Sequence, residues 1–319
     1  MQIQSLEALS KEQILQNFYS YKIPLLKKVC HDFSMVTLLN IKVGVELEFY
    51  LTNRDGSQIF TESLIDDFIK ELFAAIAPNS LIYKIEKEQG AGQIEIKTTY
   101  TSDLLKIAEE ISQIKLMAKD LANKKNLAAS FASQQFINDC GSSLQFNISL
   151  HNQNDKNLFA SDEIFLRKIA QGLLHFTNSM MIFLAPKEQD YARFSYDLNL
   201  NLFKKGKFTA PVNLSFGSDN RTCAIRFPAP AKFTSSFSKR LEYRVAAADA
   251  DVSLCLSAIL LAILWAVQNE IESSSTNAIY GNAFDKNYNL QNLCQNLNEA
   301  EKNFFTPENF IKNELSKNL

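Results

Sequence analysis

Four short segments of this 319-residue chain carry acidic and basic side chains in largely apolar surroundings: residues 46–48, 88–95, 220–226 and 240–244. They contain Glu46, Glu48, Glu88, Glu95, Glu242, Arg221, Arg226, Arg240 and Arg244. Carboxylate oxygens are the ligands that Mg²⁺ and Mn²⁺ prefer, and guanidinium groups bind phosphate oxygens through paired hydrogen bonds. If the segments meet in the fold, they predict a site that holds divalent cations and phosphate together.

The first segment places two carboxylates on one face of a predicted strand, residues 43–51. Glu46 and Glu48 are two positions apart, so we expect them about 6.6 Å from each other on the same side. An isolated pair of this kind is also typical of an edge strand with a solvated acidic face. The apolar neighbours favour a central strand, where two carboxylates are costly to bury without a cation.

The second segment has Glu88 and Glu95 on either side of GAGQ at residues 90–93. The two glycines give the backbone enough freedom to bring both acids around one point. A glycine-containing hairpin without chemical function is the alternative. The position of this segment downstream of the Glu-x-Glu strand favours a shared site.

The arginines lie in the third and fourth segments. Arg221 and Arg226 are five positions apart, while Arg240, Glu242 and Arg244 alternate on one face of a predicted strand. Such arginines suit phosphate binding, because guanidinium matches phosphate geometry. The alternative is a salt-bridge ladder in which Arg240 and Arg244 neutralise Glu242.

The order of these motifs over roughly residues 43–290 resembles the catalytic domain of glutamine synthetase. The resemblance implies two Mg²⁺ or Mn²⁺ ions. Glu48, Glu88 and Glu95 correspond to the ligands of one ion. The other ion would be held in part by Glu46, Glu242 and Gln145.

The resemblance also implies ATP as co-substrate and assigns residues to it. Arg221, Arg226 and Arg244 correspond to the clamp on the nucleotide and its γ-phosphate, and Arg193 to the arginine near the substrate carboxylate. The residues expected to contact ATP are Tyr100, Asn147, Ser149, Arg226 and Arg240. A position in the hydrophobic core is the alternative for Tyr100.

Four features depart from the family pattern. Gln145 stands where a histidine binds the second metal, and Asn147 replaces a histidine near ATP. Thr209 replaces the flap glutamate that helps deprotonate ammonium, and a threonine offers no base. Residues 1–40 are too few for the β-grasp domain that precedes the catalytic domain in the family.

Hydrophobic periodicity predicts the surrounding elements. Helices are expected within residues 1–40, 61–76, 103–122, 161–184 and 252–267, a strand at 144–150, and a long loop over the site at 190–208. The resemblance implies an α+β fold with a curved, mostly antiparallel sheet backed by helices. We divide the chain into an N-terminal helical extension, 1–40, a catalytic domain, 41–290, and a helical tail, 291–319.

Composition excludes several classes of protein. The net charge is −2, so nothing indicates nucleic acid or an anionic membrane. The apolar run at 252–267 is shorter than the roughly 20 residues of a membrane span. Five scattered cysteines and no signal peptide favour a cytoplasmic protein.

The sequence therefore predicts an ATP-dependent ligase, resembling glutamate–ammonia ligase, that joins a carboxylate to an amine through an acyl phosphate. Loss of the flap acid indicates an amine other than ammonium, or slow turnover. The alternative is an inactive homologue that binds nucleotide or a protein partner. Homo-oligomers, or a partner chain that supplies the missing domain, are compatible with either hypothesis.

Overall fold

The computed structural model describes residues 9–229, 238–271 and 277–319, so residues 1–8 of the predicted N-terminal extension lie outside it. The strands are β1 Asn40–Asn53, β2 Ile82–Lys87, β3 Gln93–Thr98, β4 Leu127–Ser130, β5 Leu144–His151, β6 Phe216–Ser218, β7 Ile225–Phe227 and β8 Leu241–Tyr243. They form one sheet in the order β2-β3-β1-β5-β8-β7-β6, and β4 pairs with the C-terminal end of β1. Every described strand pair is antiparallel except β6 with β7.

The α-helices lie along this sheet. They are α1 Lys11–Ser20, α2 Lys22–Thr37, α3 Glu62–Ala74, α4 Leu104–Lys124, α5 Leu158–Ser161, α6 Glu163–Leu184, α7 Tyr196–Lys204, α8 Val252–Gln268, α9 Leu297–Phe304 and α10 Phe310–Lys317. The predicted capping box of Ser10 with Gln13 begins α1. Helices α2, α4, α6 and α10 pack against α8, which is apolar on nearly all sides and buried for most of its length.

Strand β1 shows why one face of the sheet carries charged residues and the other face is apolar. Val43, Val45, Leu47, Phe49 and Leu51 alternate along it and are all buried in the core. The intervening positions, which include the two glutamates, project to the opposite side. The prediction of a central strand with both acids on one face is confirmed. So is the α+β fold with a mostly antiparallel sheet backed by helices.

Helix α8 confirms the predicted buried helix. It begins at Asp251, whose side chain accepts hydrogen bonds from the backbone N–H groups of Ser253 and Leu254. In the ranges described, the search for a helix long and apolar enough to span a bilayer finds none.

The predicted loop at 190–208 is wrong over most of its length. Residues Glu188–Phe194 form a 3₁₀-helix, and Tyr196–Lys204 form α7. Ser195 caps α7 by accepting the Leu198 N–H, while Tyr191 and Phe194 are buried. These helices are too short to show a hydrophobic period, and their stability comes from aromatic packing against the core.

Candidate active site

The register of β1 with its neighbours places acidic residues on one sheet face. Residues directly opposite each other in antiparallel strands project to the same side. Glu48 pairs with Glu95 on β3, and Glu46 lies between Lys97 on β3 and Gln145 on β5. Strand pairing alone therefore brings the first two charged segments together.

The same face continues onto β8 and β7, where Glu242 pairs with Asn147 on one side and with Arg226 on the other. A cavity of about 360 Å³ lies over it. Of the residues predicted from sequence, it is lined by Glu46, Glu48, Glu88, Glu95, Gln145, Arg193, Arg221, Arg226, Arg240, Glu242 and Arg244. Segments far apart in sequence thus meet in one cavity, hereafter the charged cavity.

Glu48, Glu88 and Glu95 line this cavity together and are hereafter called the acidic cluster. Burial raises the pKa of Glu88 to about 7, and the charge of Glu48 adds to the effect. Burial and the charges of Glu46 and Glu48 raise the pKa of Glu95 to about 9. The carboxylates are desolvated and repel one another, which is the electrostatic environment that a divalent cation stabilises.

The metal-free protein should lose stability as the pH rises through the pKa values of Glu88 and Glu95. Their ordinary pKa is 4.5, and the folded values are about 7 and about 9. The folded state therefore binds more protons in this window and is weakened as they leave. Mg²⁺ should raise the melting temperature more at about pH 8.5 than at about pH 6. An Mg²⁺ effect that is equal at both pH values would contradict this prediction.

Lys97 was missed by the sequence analysis. Its Nζ lies 2.9 Å from Glu95 Oε2 and 3.0 Å from Glu86 Oε1. Burial alone would lower the pKa of Lys97, but the hydrogen bonds to these two glutamates raise it. The available signal was its position two residues after Glu95, on the same face of β3.

Glu242 is already neutralised by arginines. Arg244 Nη1 donates a hydrogen bond to Glu242 Oε1, and Arg226 Nη1 donates to Oε2 at 2.8 Å. Burial alone would raise the pKa of Glu242, but the charges of Arg244 and Arg226 lower it. Of the salt-bridge alternative, in which Arg240 and Arg244 neutralise Glu242, the structure shows the Arg244 pair only, and Arg226 is an additional partner. Arg240 instead donates from Nε to Asn147 Oδ1, at 2.8 Å.

The two expected ion positions differ in the ligand atoms that they offer to a metal. Within the described ranges, no three His, Cys, Asp or Glu side chains are arranged to hold a metal ion as they stand. The acidic cluster nevertheless fits a hard cation, because three mutually repelling carboxylates converge there. The set of Glu46, Gln145 and Glu242 is less suited, because Gln145 supplies a neutral amide oxygen and both Glu242 oxygens accept hydrogen bonds from arginines.

Arg193 lies beneath the cavity rather than projecting freely into it. Its guanidinium donates hydrogen bonds to the backbone carbonyls of Val245 and Arg244, both at 2.9 Å. Burial lowers its pKa to about 10. These contacts fix the backbone immediately after β8, and with it the position of Arg244.

A second cavity of about 530 Å³ adjoins the first and shares Glu46, Lys97 and Arg240 with it. The residues predicted to contact ATP that line this second cavity are Tyr100, Asn147, Ser149 and Arg240. The Tyr100 side chain is 72% exposed, which excludes the core alternative. Tyr83 and His151 also line it and were missed. His151 is buried, with Nε2 3.0 Å from Ser149 Oγ.

The segment 207–209 forms part of the wall of the charged cavity, through Phe208 and Thr209. Lys207 forms an ion pair with the buried Asp139, a residue that the sequence analysis did not identify. The Phe208 N–H donates to Gln89 Oε1, and the Arg221 guanidinium lies 4.2 Å from the centre of the Phe208 ring. Thr209 is buried at the cavity wall. The flap segment is thus tethered over the acidic cluster.

Comparison with known proteins agrees with this geometry. The chain is 28% identical over 257 residues to gamma-glutamylputrescine synthetase PuuA of Escherichia coli (strain K12), covering 72% of this chain and 52% of that protein. It is 28% identical over 231 residues to glutamate–methylamine ligase of Methyloversatilis universalis, covering 69% and 49%. It is 29% identical over 233 residues to glutamine synthetase of Sulfolobus acidocaldarius, covering 70% and 47%. The chain spans about half the length of these relatives.

Solved structures show the same fold. The structure titled "GmaS/ADP complex-Conformation 1" aligns with a TM-score of 0.74 and 20% identity, over 93% of this chain and 72% of that one. "Apo GmaS without ligand" aligns with a TM-score of 0.75 and 21% identity, over 93% and 71%. The model of the family "Glutamine synthetase, catalytic domain" matches residues 59–319. The chain therefore belongs to the glutamine synthetase catalytic-domain family, whose relatives named above are ligases that form C–N bonds.

Proposed function

We propose that this chain uses ATP to join the side-chain carboxylate of glutamate to an organic amine, through an acyl phosphate. The observation that carries the proposal is the meeting of an acidic cluster and five arginines in one cavity, beside a second cavity with exposed tyrosines. Glutamate is chosen because it is named, directly or as glutamyl, in two relatives.

The nucleotide is proposed to occupy the second cavity, which Tyr83, Tyr100 and Ser149 line. Tyr83 and Tyr100 offer exposed aromatic faces for the adenine ring, and Ser149 offers a hydroxyl group. The phosphates would then lie at the border shared by the two cavities, where Lys97 and Arg240 provide positive charge. One neighbour by structure is titled as a complex with ADP.

The acidic cluster is proposed to hold one Mg²⁺ or Mn²⁺ ion, which would supply positive charge to the phosphate oxygens. Phosphoryl transfer depends mainly on positioning and on stabilising charge that develops on the phosphate oxygens. Arg221 is suited to this role because Phe208 supports its guanidinium and no carboxylate within the described ranges forms a salt bridge with it. Arg244 and Arg226 also line the cavity and add positive charge to it.

The amine is proposed to be an organic amine rather than ammonium. Thr209 provides no carboxylate at the flap, so ammonium would have to be deprotonated without help from this position. The names of two relatives specify putrescine and methylamine. Alkylammonium ions must be deprotonated as well, so the names of the relatives, and not the missing carboxylate, carry the choice of an organic amine.

A panel assay tests the proposal. Phosphate release from ATP should be measured with glutamate and Mn²⁺ in the presence of ammonium, methylamine, putrescine or hydroxylamine. We expect faster release with an organic amine or hydroxylamine than with ammonium. Brisk release with ammonium would contradict the amine assignment. Nucleotide binding without phosphate release for any amine would favour an inactive homologue.

Thr209→Glu should raise ammonium-dependent turnover by about 10-fold to 100-fold, because it restores a carboxylate base at the flap. Turnover with hydroxylamine should change little, since that amine is already largely neutral at pH 7. Thr209→Gln is the matched control, because it adds similar volume without a base. Equal gains in both variants would show that the flap glutamate acts through packing rather than proton transfer.

A further inference from the structure

A buried carboxylate that lies behind the wall of the charged cavity joins two segments of that wall. Asp139 is 6% exposed and lines neither of the two cavities described above. Its Oδ2 accepts hydrogen bonds from the Ala91 N–H and from Gln58 Nε2, both at 3.0 Å. Its Oδ1 accepts from the Cys140 N–H at 2.9 Å and from Lys207 Nζ. All four partners are donors, so a carboxylate satisfies the whole set.

The surroundings of Asp139 keep it ionised. Burial alone would raise its pKa, but the hydrogen bonds from Lys207 and from the N–H groups of Cys140 and Ala91 lower it. The hydrogen bond to Asp139 also raises the pKa of Lys207. A charged carboxylate and a charged lysine therefore form an ion pair behind the cavity wall.

The contact with Ala91 fixes the hairpin loop, residues 88–93, which connects β2 with β3 and begins at Glu88 of the acidic cluster. This loop packs tightly on the sheet, because a Cβ at Gly90 would lie 1.9 Å from a tyrosine hydroxyl oxygen. Asp139 binds the next residue of the loop through its backbone N–H. We therefore expect the position of Glu88 to depend on Asp139.

The contact with Lys207 fixes the flap segment, residues 207–209. Gly206 precedes this segment and follows the end of α7 with a φ of 69°, a left-handed conformation that favours glycine. Ala210 follows the segment, and its N–H donates to the buried Asn199 Oδ1 at 2.7 Å. The flap segment is thus a short connection between two fixed ends.

The flap segment separates the charged cavity from a third cavity, of about 520 Å³. Phe208 and Thr209 line both cavities. The third cavity is also lined by Tyr280, whose side chain is 83% exposed, so it faces solvent. Displacement of the flap segment would therefore admit water to the charged cavity.

We propose that Asp139 is a positioning residue, which fixes the acidic cluster through Ala91 and holds the flap segment as a barrier to water through Lys207. The proposal rests on the proposed function for the reaction that is protected. In that reaction an acyl phosphate is attacked at its acyl carbon, and the C–O bond to phosphate breaks. Attack by the amine, which loses a proton, gives the amide, whereas attack by water returns glutamate. A flap segment that stays in place favours the amide.

Lys207→Met tests the hold on the flap segment, because it removes the ion pair and leaves the contact between Asp139 and Ala91 in place. Amide hydrogen exchange of residues 207–209 should become about 10-fold faster, since a charge-assisted hydrogen bond is lost. Lys207→Arg should keep exchange slow. Lys205→Met is the matched control, because Lys205 is exposed two residues earlier. Equal exchange in Lys207→Met and Lys205→Met would overturn the role of the ion pair.

The products formed with hydroxylamine test the barrier to water. The amount of γ-glutamyl hydroxamate formed per phosphate released should fall several-fold in Lys207→Met and stay unchanged in Lys205→Met. A general loss of stability would lower both yields together and leave their ratio as it was. An unchanged ratio in Lys207→Met would overturn the barrier role.

Asp139→Ala tests the hold on the acidic cluster, because it removes the acceptor for all four donors. Exchange of residues 207–209 should become faster, as in Lys207→Met. Mn²⁺ affinity should also fall by about 10-fold, as for other groups that act through a ligand's surroundings. Lys207→Met should keep the Mn²⁺ affinity of the unmodified chain. Equal Mn²⁺ affinity in Asp139→Ala and the unmodified chain would overturn the role of Asp139 at the acidic cluster.

These outcomes are separable from those of the proposed function, because amide exchange requires neither turnover nor a bound ion. If the unmodified chain binds no Mn²⁺, or if Asp139→Ala does not fold, exchange of the Ala91 amide in the unmodified chain decides. Slow exchange at Ala91 would support the hold on the hairpin loop, and exchange at the rate of an exposed amide would overturn it. Phosphate release with unaltered exchange in Lys207→Met would retain the ligase and remove the role of the ion pair.

Discussion

Glu95→Gln should abolish Mn²⁺ binding at the acidic cluster and reduce glutamate-dependent phosphate release by at least about 1,000-fold. Glu95 pairs with Glu48 across β1 and β3, and glutamine removes its negative charge with almost no change in shape. Loss of the ion removes charge stabilisation of the transferred phosphate, which is worth several kcal/mol in metal-dependent enzymes. Calorimetry and a phosphate-release assay measure the two effects.

Glu86→Gln is the matched control for this variant. Glu86 pairs with Glu95 across β2 and β3 and shares Lys97 with it, but it is not assigned to the acidic cluster. It should weaken Mn²⁺ binding by no more than about 10-fold to 100-fold, the usual range for a group that acts only through a ligand's surroundings. Mn²⁺ affinity in Glu95→Gln equal to that in Glu86→Gln would remove Glu95 from the ion site.

Arg221→Met should lower phosphoryl transfer by about 1,000-fold while leaving the melting temperature nearly unchanged. The guanidinium packs on the Phe208 ring, so methionine preserves an apolar contact there. Burial and the charges of Arg226 and Arg244 lower the pKa of Arg221, because both disfavour its charged form. Arginines that contact a transferred phosphate contribute about 10³-fold to 10⁵-fold to turnover.

Arg54→Met provides the control for Arg221→Met. Arg54 is exposed and donates a hydrogen bond to Asn126, away from the residues that line either cavity. Its replacement should leave phosphate release unchanged. A loss in Arg221→Met that is matched by an equal fall in melting temperature would indicate a structural role for that arginine.

The sequence supported a detailed prediction of β1 and its glutamates because their determinants are local. Alternation of apolar and acidic residues specifies both the strand and its two faces. The E-x-x-A-G-Q-x-E segment was informative for a similar reason, since Glu88 and Glu95 are joined by a short hairpin. In that hairpin the Glu88 N–H donates to the Gln93 carbonyl.

The parts that sequence reasoning missed depend on contacts between distant segments. The place of Lys97 in the site can be recognised only when β3 is paired with β1 and β2. Asp139 accepts hydrogen bonds from Ala91 and Gln58, and its partner Lys207 is 68 residues away. The pairing of Arg244 with Gln145 joins positions 99 residues apart. No local pattern specifies such pairs before the sheet is assembled.

The central claim is that this cavity forms an acyl phosphate from ATP and glutamate, and positional isotope exchange tests it without knowledge of the amine. ATP labelled with ¹⁸O in the bridge between its β- and γ-phosphates should be incubated with the chain, Mn²⁺ and glutamate. Reversible transfer of the γ-phosphoryl group lets the β-phosphate of bound ADP rotate. We predict that the bridging label moves to non-bridging β positions only when glutamate is present. No movement of the label, under conditions where ATP and glutamate are both bound, would contradict the account.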